Sequence, residues 1–166
     1  MNEDGQTQDA REQLREQTAE LEAQRVGDSL VKLGRLVFER TVERLRARGF
    51  AGVRFSFTAL LPHIDRQRGT RLTELASRMD ISKQATGQMV AQLELLGYVQ
   101  RRPDPEDGRA RLVELTEQGY RVLLAGLEVF GEIESELQAE LGVELMSSFR
   151  RGAERSLSFL QEMNDA

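Results

Sequence analysis

The sequence predicts a mainly α-helical chain with one small β-hairpin, and three observations carry that prediction. Apolar residues recur at three, four and seven residue intervals over most of the 166 residues, which is the spacing of a helix face. One stretch breaks the pattern. Tyr98 to Arg102 and Arg111 to Leu115 read as short strands on either side of PDPEDGRA, a segment dense in turn formers. Between two of the helical stretches only Asp80 to Ser82 intervene, too few residues for anything but a tight turn.

Residues 1–25 are rich in Gln and Glu and bury little that would offset the entropy of ordering them. Leu14 and Leu21 fit a helix running into the next element, and equally a frayed or disordered arm. From Asp28 or Ser29, both good N-caps, the stripe Leu30, Leu33, Val37, Val42 and Leu45 predicts a helix ending near Gly49. A short helix from Ser56 carries Phe57, Leu60, Leu61 and Ile64. Pro62 inside it removes a backbone hydrogen bond and crowds the preceding turn, which predicts a kink or an early stop. Thr70 to Leu72 reads as a minimal strand. Thr73 caps a helix bearing Leu75, Ala76 and Met79, and Ser82 caps another that runs to about Leu96 and ends at Gly97. Two helices joined by so short a turn, followed by a hairpin, form the winged helix-turn-helix pattern.

Beyond the hairpin, Leu123, Leu127, Phe130, Leu137 and Leu141 mark one face of a long helix from Thr116. Gly142 interrupts it, and Leu145, Phe149, Ala153, Leu157 and Leu160 mark a last helix to about Met163. The chain therefore divides into an arm over 1–25, an N-terminal helix over 26–49, a winged helix-turn-helix over 54–116, and C-terminal helices over 117–163. The apolar faces of the terminal helices need a partner. A second copy of the chain is the obvious one, which makes these the dimerisation helices.

Composition removes several functions. With no cysteine there is no disulfide, thiolate metal site or thiol redox switch, and the single histidine, His63, argues against a histidine metal site. No cofactor is expected. No catalytic constellation or glycine-rich phosphate loop is visible, so the chain does not read as an enzyme. No apolar run approaches the roughly 20 residues that cross a bilayer, and MNEDGQTQDAREQ has no secretory character. The expectation is a cytoplasmic protein without a membrane partner. The net charge of −5 is unevenly spread: Arg54 to Arg111 holds ten Lys or Arg against seven Asp or Glu. A locally basic segment in an acidic chain suits a phosphate-binding surface.

On a wheel of about 100° per residue, Ala85, Met89, Leu93 and Leu96 face the core. The opposite arc holds Lys83, Gln84, Gly87, Gln88 and Ala91. Small residues let the backbone approach a duplex, Gln amides pair with adenine edges, and Lys reaches guanine or a phosphate. The plainer reading is a polar solvent face, and the turn before the helix and the hairpin after it weigh against that. In the hairpin loop, Asp107, Gly108, Arg109 and Arg111 make an arginine tip. Asp107 is spaced to hold the Arg109 guanidinium, and an arginine so held can enter the minor groove.

The run LTELASRMDISKQATGQMVAQLELLGYVQRRPDPEDGRARLVELTEQG, Leu72 to Gly119, resembles the core of the MarR family of winged helix-turn-helix regulators. Its most distinctive part is the wing phrase Asp104, Asp107, Arg109, Val113, Leu115, Thr116 and Gly119. The resemblance implies a homodimeric DNA-binding transcription regulator on a pseudo-palindromic operator, with half-sites about one helical turn apart. It assigns groove reading to Ser82, Lys83, Gln84, Thr86 and Gln88, and the wing contact to Arg109 supported by Asp107. It also implies a small aromatic or phenolic effector in a cleft that Pro62 reshapes, where His63 is a candidate contact against the plainer reading of a partly exposed structural residue. The rival reading is a winged helix used for protein contact or dimerisation without DNA.

Overall fold

The computed structural model describes residues 3–23, 25–50 and 52–164. It contains helices α1 (Glu3–Ala23), α2 (Val26–Ala47) and α3 (Phe55–Leu60), a 3-10 turn (Leu61–His63), and strand β1 (Thr70–Arg71). Helices α4 (Leu72–Arg78) and α5 (Lys83–Leu95) follow, then strands β2 (Val99–Pro103) and β3 (Arg111–Leu115), then helices α6 (Glu117–Leu141) and α7 (Val143–Asn164). The strands form one antiparallel sheet in the order β1-β3-β2, with Thr70 opposite Val113 and Arg101 opposite the same residue from the other side. The chain separates into two compact units, Met1–Glu39 and Arg40–Ala166.

In the first unit α1 is helical from Glu3 to Ala23. Its Leu14 and Leu21 are nevertheless more than half exposed. α2 starts at Val26, earlier than either predicted cap. Asp28 lies in its first turn instead, where a carboxylate is favoured by the N-terminal end of the helix dipole.

The second unit is built around Leu45, Phe57, Leu60, Ile64, Leu75, Val90, Leu93, Tyr98, Val113 and Val122, all buried. Pro62 ends α3 as expected. The chain tightens into the 3-10 turn with the proline in its first positions, where a missing N–H breaks no intrahelical bond. Two boundaries differ from the sequence reading. Helix α4 begins at Leu72 with Arg71 as its N-cap and no side-chain cap, so Thr73 is already helical: the extended backbone of β1 feeds straight into the helix. Tyr98 precedes β2 because its N–H is taken by the Leu93 carbonyl as α5 closes, at 2.9 Å.

Helix α6 carries two apolar lines where the sequence suggested one. Val122, Ala125, Val129 and Ile133 are buried in the unit, together with Leu123. Leu127 and Leu141 are exposed and Phe130 and Leu137 half-buried, so the stripe read from the sequence faces this core only in part. Arg44 of α2 and Arg48, just past its end, tie the close of that helix to α6. Arg44 bonds both carboxylate oxygens of Glu136, at 2.7 and 2.8 Å, and Arg48 reaches Glu128 at 3.3 Å and also Glu132. Among the described residues no helix is long and apolar enough to cross a membrane.

Candidate nucleic-acid interface

Helix α5 exposes its first turn, and its start is capped. The Ser82 hydroxyl accepts the Ala85 N–H at 3.2 Å, and the preceding turn is closed by Asp80, whose φ of 51° is left-handed. Lys83, Gln84 and Gln88 are exposed, while Gly87 and Ala91 are half-buried. Gln92 and Leu95 continue this face toward the C-terminus, and Leu95 is 87% exposed.

Thr86 does not belong to that face. It is completely buried, and its hydroxyl donates to the Ser82 carbonyl at 3.0 Å, so it cannot read a base. The core arc of α5 is Thr86, Val90 and Leu93, with Met89 and Leu96 beside it and Ala85 only half-buried. A threonine can occupy this arc because the local bond satisfies its hydroxyl. Gly87 is not demanded by the fold: an added Cβ would meet only Leu72 Cδ2, at an ordinary 3.6 Å.

The hairpin loop differs from the expected arrangement at its centre. Asp107 makes no ion pair with Arg109. Its Oδ1 accepts the Arg109 backbone N–H at 3.1 Å, and its carbonyl accepts Ala110 N–H at 2.8 Å, which tightens the loop without holding the guanidinium. Arg109, Gly108 and Arg111 are exposed. The carboxylate that is held is Asp104, only 5% exposed. Its Oδ1 accepts the Glu106 N–H at 2.9 Å, and its Oδ2 receives Arg71 Nε at 2.6 Å and Nη2 at 2.5 Å. Arg71 lies 33 positions earlier, and no local spacing announces it. Next to it Arg102 pairs with Glu114 and donates to the Arg68 carbonyl at 2.7 Å.

These contacts hold several carboxyls below their usual range. The Glu106 N–H leads for Asp104, with Arg71 behind it, the N–H groups of Arg68 and Gln67 lead for Asp65, and Arg44 leads for Glu136. A depressed folded pKa adds stability above the unfolded value of about 4, and that stability is lost as pH falls through the folded value. The melting temperature should therefore hold near neutrality and drop below about pH 4. A rise on acidification would contradict the assignment of these bonds.

A small apolar cleft lies between α2, the 3-10 turn and α6, lined by Thr41, Leu61, Pro62, Leu123, Gly126 and Phe130 among others. Its volume is about 40 Å³, below the roughly 150 Å³ of a cavity that accepts benzene. His63 does not line it, contrary to the sequence reading. Pro62 takes that wall, and the His63 carbonyl accepts Arg78 Nη1 at 2.6 Å instead.

Residues 58–110, from α3 to the tip of the hairpin, match the MarR family. In this segment the chain is similar to that family. Solved structures agree across most of the chain. The transcriptional regulator Tm0710 of Thermotoga maritima is 25% identical, with 83% of this chain and 94% of that one covered at a TM-score of 0.56. MarR of E. coli in its apo form is 20% identical over 80% and 97%, at 0.67. CouR, a transcriptional repressor known from Rhodococcus jostii and solved on a 23-mer DNA duplex, is 22% identical over 86% and 94%, at 0.64. At the lower identities the likeness is one of fold. No curated protein matches the sequence.

Proposed function

We propose that this protein is a homodimeric, sequence-specific regulator of transcription of the MarR family, a repressor that binds a pseudo-palindromic operator in double-stranded DNA. One observation carries the reading: Lys83, Gln84 and Gln88 stand exposed at the capped start of α5, in the same compact unit as a hairpin whose tip exposes Arg109 and Arg111. A helix with long amides and small neighbours fits the major groove, and a free arginine fits the narrow minor groove beside it. The CouR structure on duplex DNA supports the comparison.

The dimer reading rests on apolar surface. Leu145, Leu157 and Leu160 of α7 are each more than half exposed, as are Leu124 and Leu127 of α6. A large apolar area left in water favours association with a second copy. Release by a small aromatic ligand is the remaining part of the proposal, supported by the CouR structure with p-coumaroyl-CoA. In this chain the cleft between α2 and α6 must widen before such a ligand enters.

Selection of bound sequences from a random duplex pool at two salt concentrations tests the reading. It should return a palindrome with a steep salt dependence. Arg109→Ala should weaken operator binding about tenfold and leave the dimer intact. No affinity for any duplex at low salt would reject DNA binding and favour a protein-contact module.

A further inference from the structure

The wing arginine has no side-chain support of its own, so its reach depends on what fixes the loop beneath it. The root of that loop is anchored at Asp104. Asp104 N–H donates to the Ala110 carbonyl at 3.1 Å, and the Asp104 carboxylate caps Glu106 through one oxygen and takes Arg71 through the other. Arg71 is itself the hinge residue between β1 and α4: it pairs with Leu112 of β3 and is the N-cap of the first helix of the helix-turn-helix. The two nitrogens of Arg71 on a single carboxylate oxygen fix the side chain more tightly than a single contact does. Asp104 is buried while Arg71 keeps 41% of its side chain exposed, so the pair is screened on one side only.

We infer that Arg71 and Asp104 are positioning residues for DNA binding, whose ion pair sets the pose of the wing loop relative to the helix-turn-helix and so the reach of Arg109. Neither needs to touch DNA. The pair takes over the task that sequence spacing suggested for Asp107, at the root of the loop instead of its tip. The inference rests on the reading of Arg109 as a DNA contact, and the experiment keeps the two apart.

The full-length protein and its selected operator are used to measure affinity for wild type, Asp104→Asn, Arg71→Lys, Arg109→Ala and the doubles with Arg109→Ala. Asparagine keeps the shape and the Glu106 cap but loses the charge. Lysine keeps the charge but loses the two-nitrogen grip, and since Arg71 is substantially exposed this variant leaves the core untouched. Asp104→Asn and Arg71→Lys should each weaken binding about fivefold to tenfold, roughly the scale of a misplaced groove contact. In the Arg109→Ala background each should add less than about twofold, because a positioning residue has nothing left to position. A loss that merely reflected a damaged fold would persist in both backgrounds.

The inference is overturned if Arg71→Lys binds as wild type, or if the effects multiply with that of Arg109→Ala. Should wild type bind while Arg109→Ala binds equally well, the wing reading fails first and this inference with it.

Discussion

Gly119→Ala is expected to cost the winged helix about 3 kcal/mol or more, a large fraction of the stability of a typical domain. A Cβ at this position would lie 1.9 Å from the Tyr98 carbonyl oxygen and 3.0 Å from its carbon, distances no real side chain tolerates. The obstacle is backbone, so no rotamer relieves it. Tyr98 is 1% exposed with its ring in the core, and its carbonyl accepts the Thr116 N–H at 3.1 Å. Thr116 in turn caps α6 by accepting the Gly119 N–H at 3.0 Å and donates its hydroxyl to the Gly97 carbonyl at 2.5 Å. Moving Gly119 away therefore breaks the cap of α6 and the bonds that join it to the start of β2. Gly87→Ala is the internal control. It has room for the methyl and should stabilise the protein by up to about 1 kcal/mol, since glycine is a poor helix former. Chemical denaturation of the two variants checks both signs, and a Gly119→Ala protein as stable as wild type would refute the packing.

Gly119 shows where sequence reasoning reached and where it stopped. Its place in the wing phrase was legible, but the reason for a glycine there was not, because Tyr98 comes close only after β2 and α6 have packed. Local signals fared best. Ser82 and Thr116 cap their helices through bonds three residues long, Pro62 ends a helix by its own covalent geometry, and the strand Arg111–Leu115 stands where its composition put it. The failures are nonlocal or concern rotation about a helix axis. The family resemblance puts Thr86 among the groove-reading residues, but one bond to Ser82 lets it enter the core. The leucines of α6 outweighed its β-branched residues in the periodicity, yet Val122, Val129 and Ile133 make the inner line. At the site, Asp107 and Arg109 were paired on spacing alone. The ion pair that does form joins Arg71 to Asp104 across a sheet that only folding creates.

The leucines that α6 and α7 leave outside lead to the second large effect: if they form the joint of the proposed dimer, Leu157→Asp with Leu160→Asp should leave a folded monomer. Both side chains are more than half exposed within their own unit, at 60% and 56%, so the substitutions remove little from the intramolecular core. In a two-fold dimer each position counts twice, and four leucines leaving a buried interface forfeit roughly 6 kcal/mol or more. Four new carboxylates would have to be desolvated to close the same surface, which adds to the loss. Sedimentation equilibrium at micromolar protein should show the change, with the helical signal kept. Operator affinity should collapse with it, because a monomer brings one helix and one wing to a site made for two. If the variant stays dimeric, the C-terminal face is not the joint between copies, and the apolar residues that α1 and α2 expose become the surface to alter next. If it turns monomeric and still binds the palindrome as tightly as before, then the two reading heads act independently, and the dimer contributes nothing to recognition.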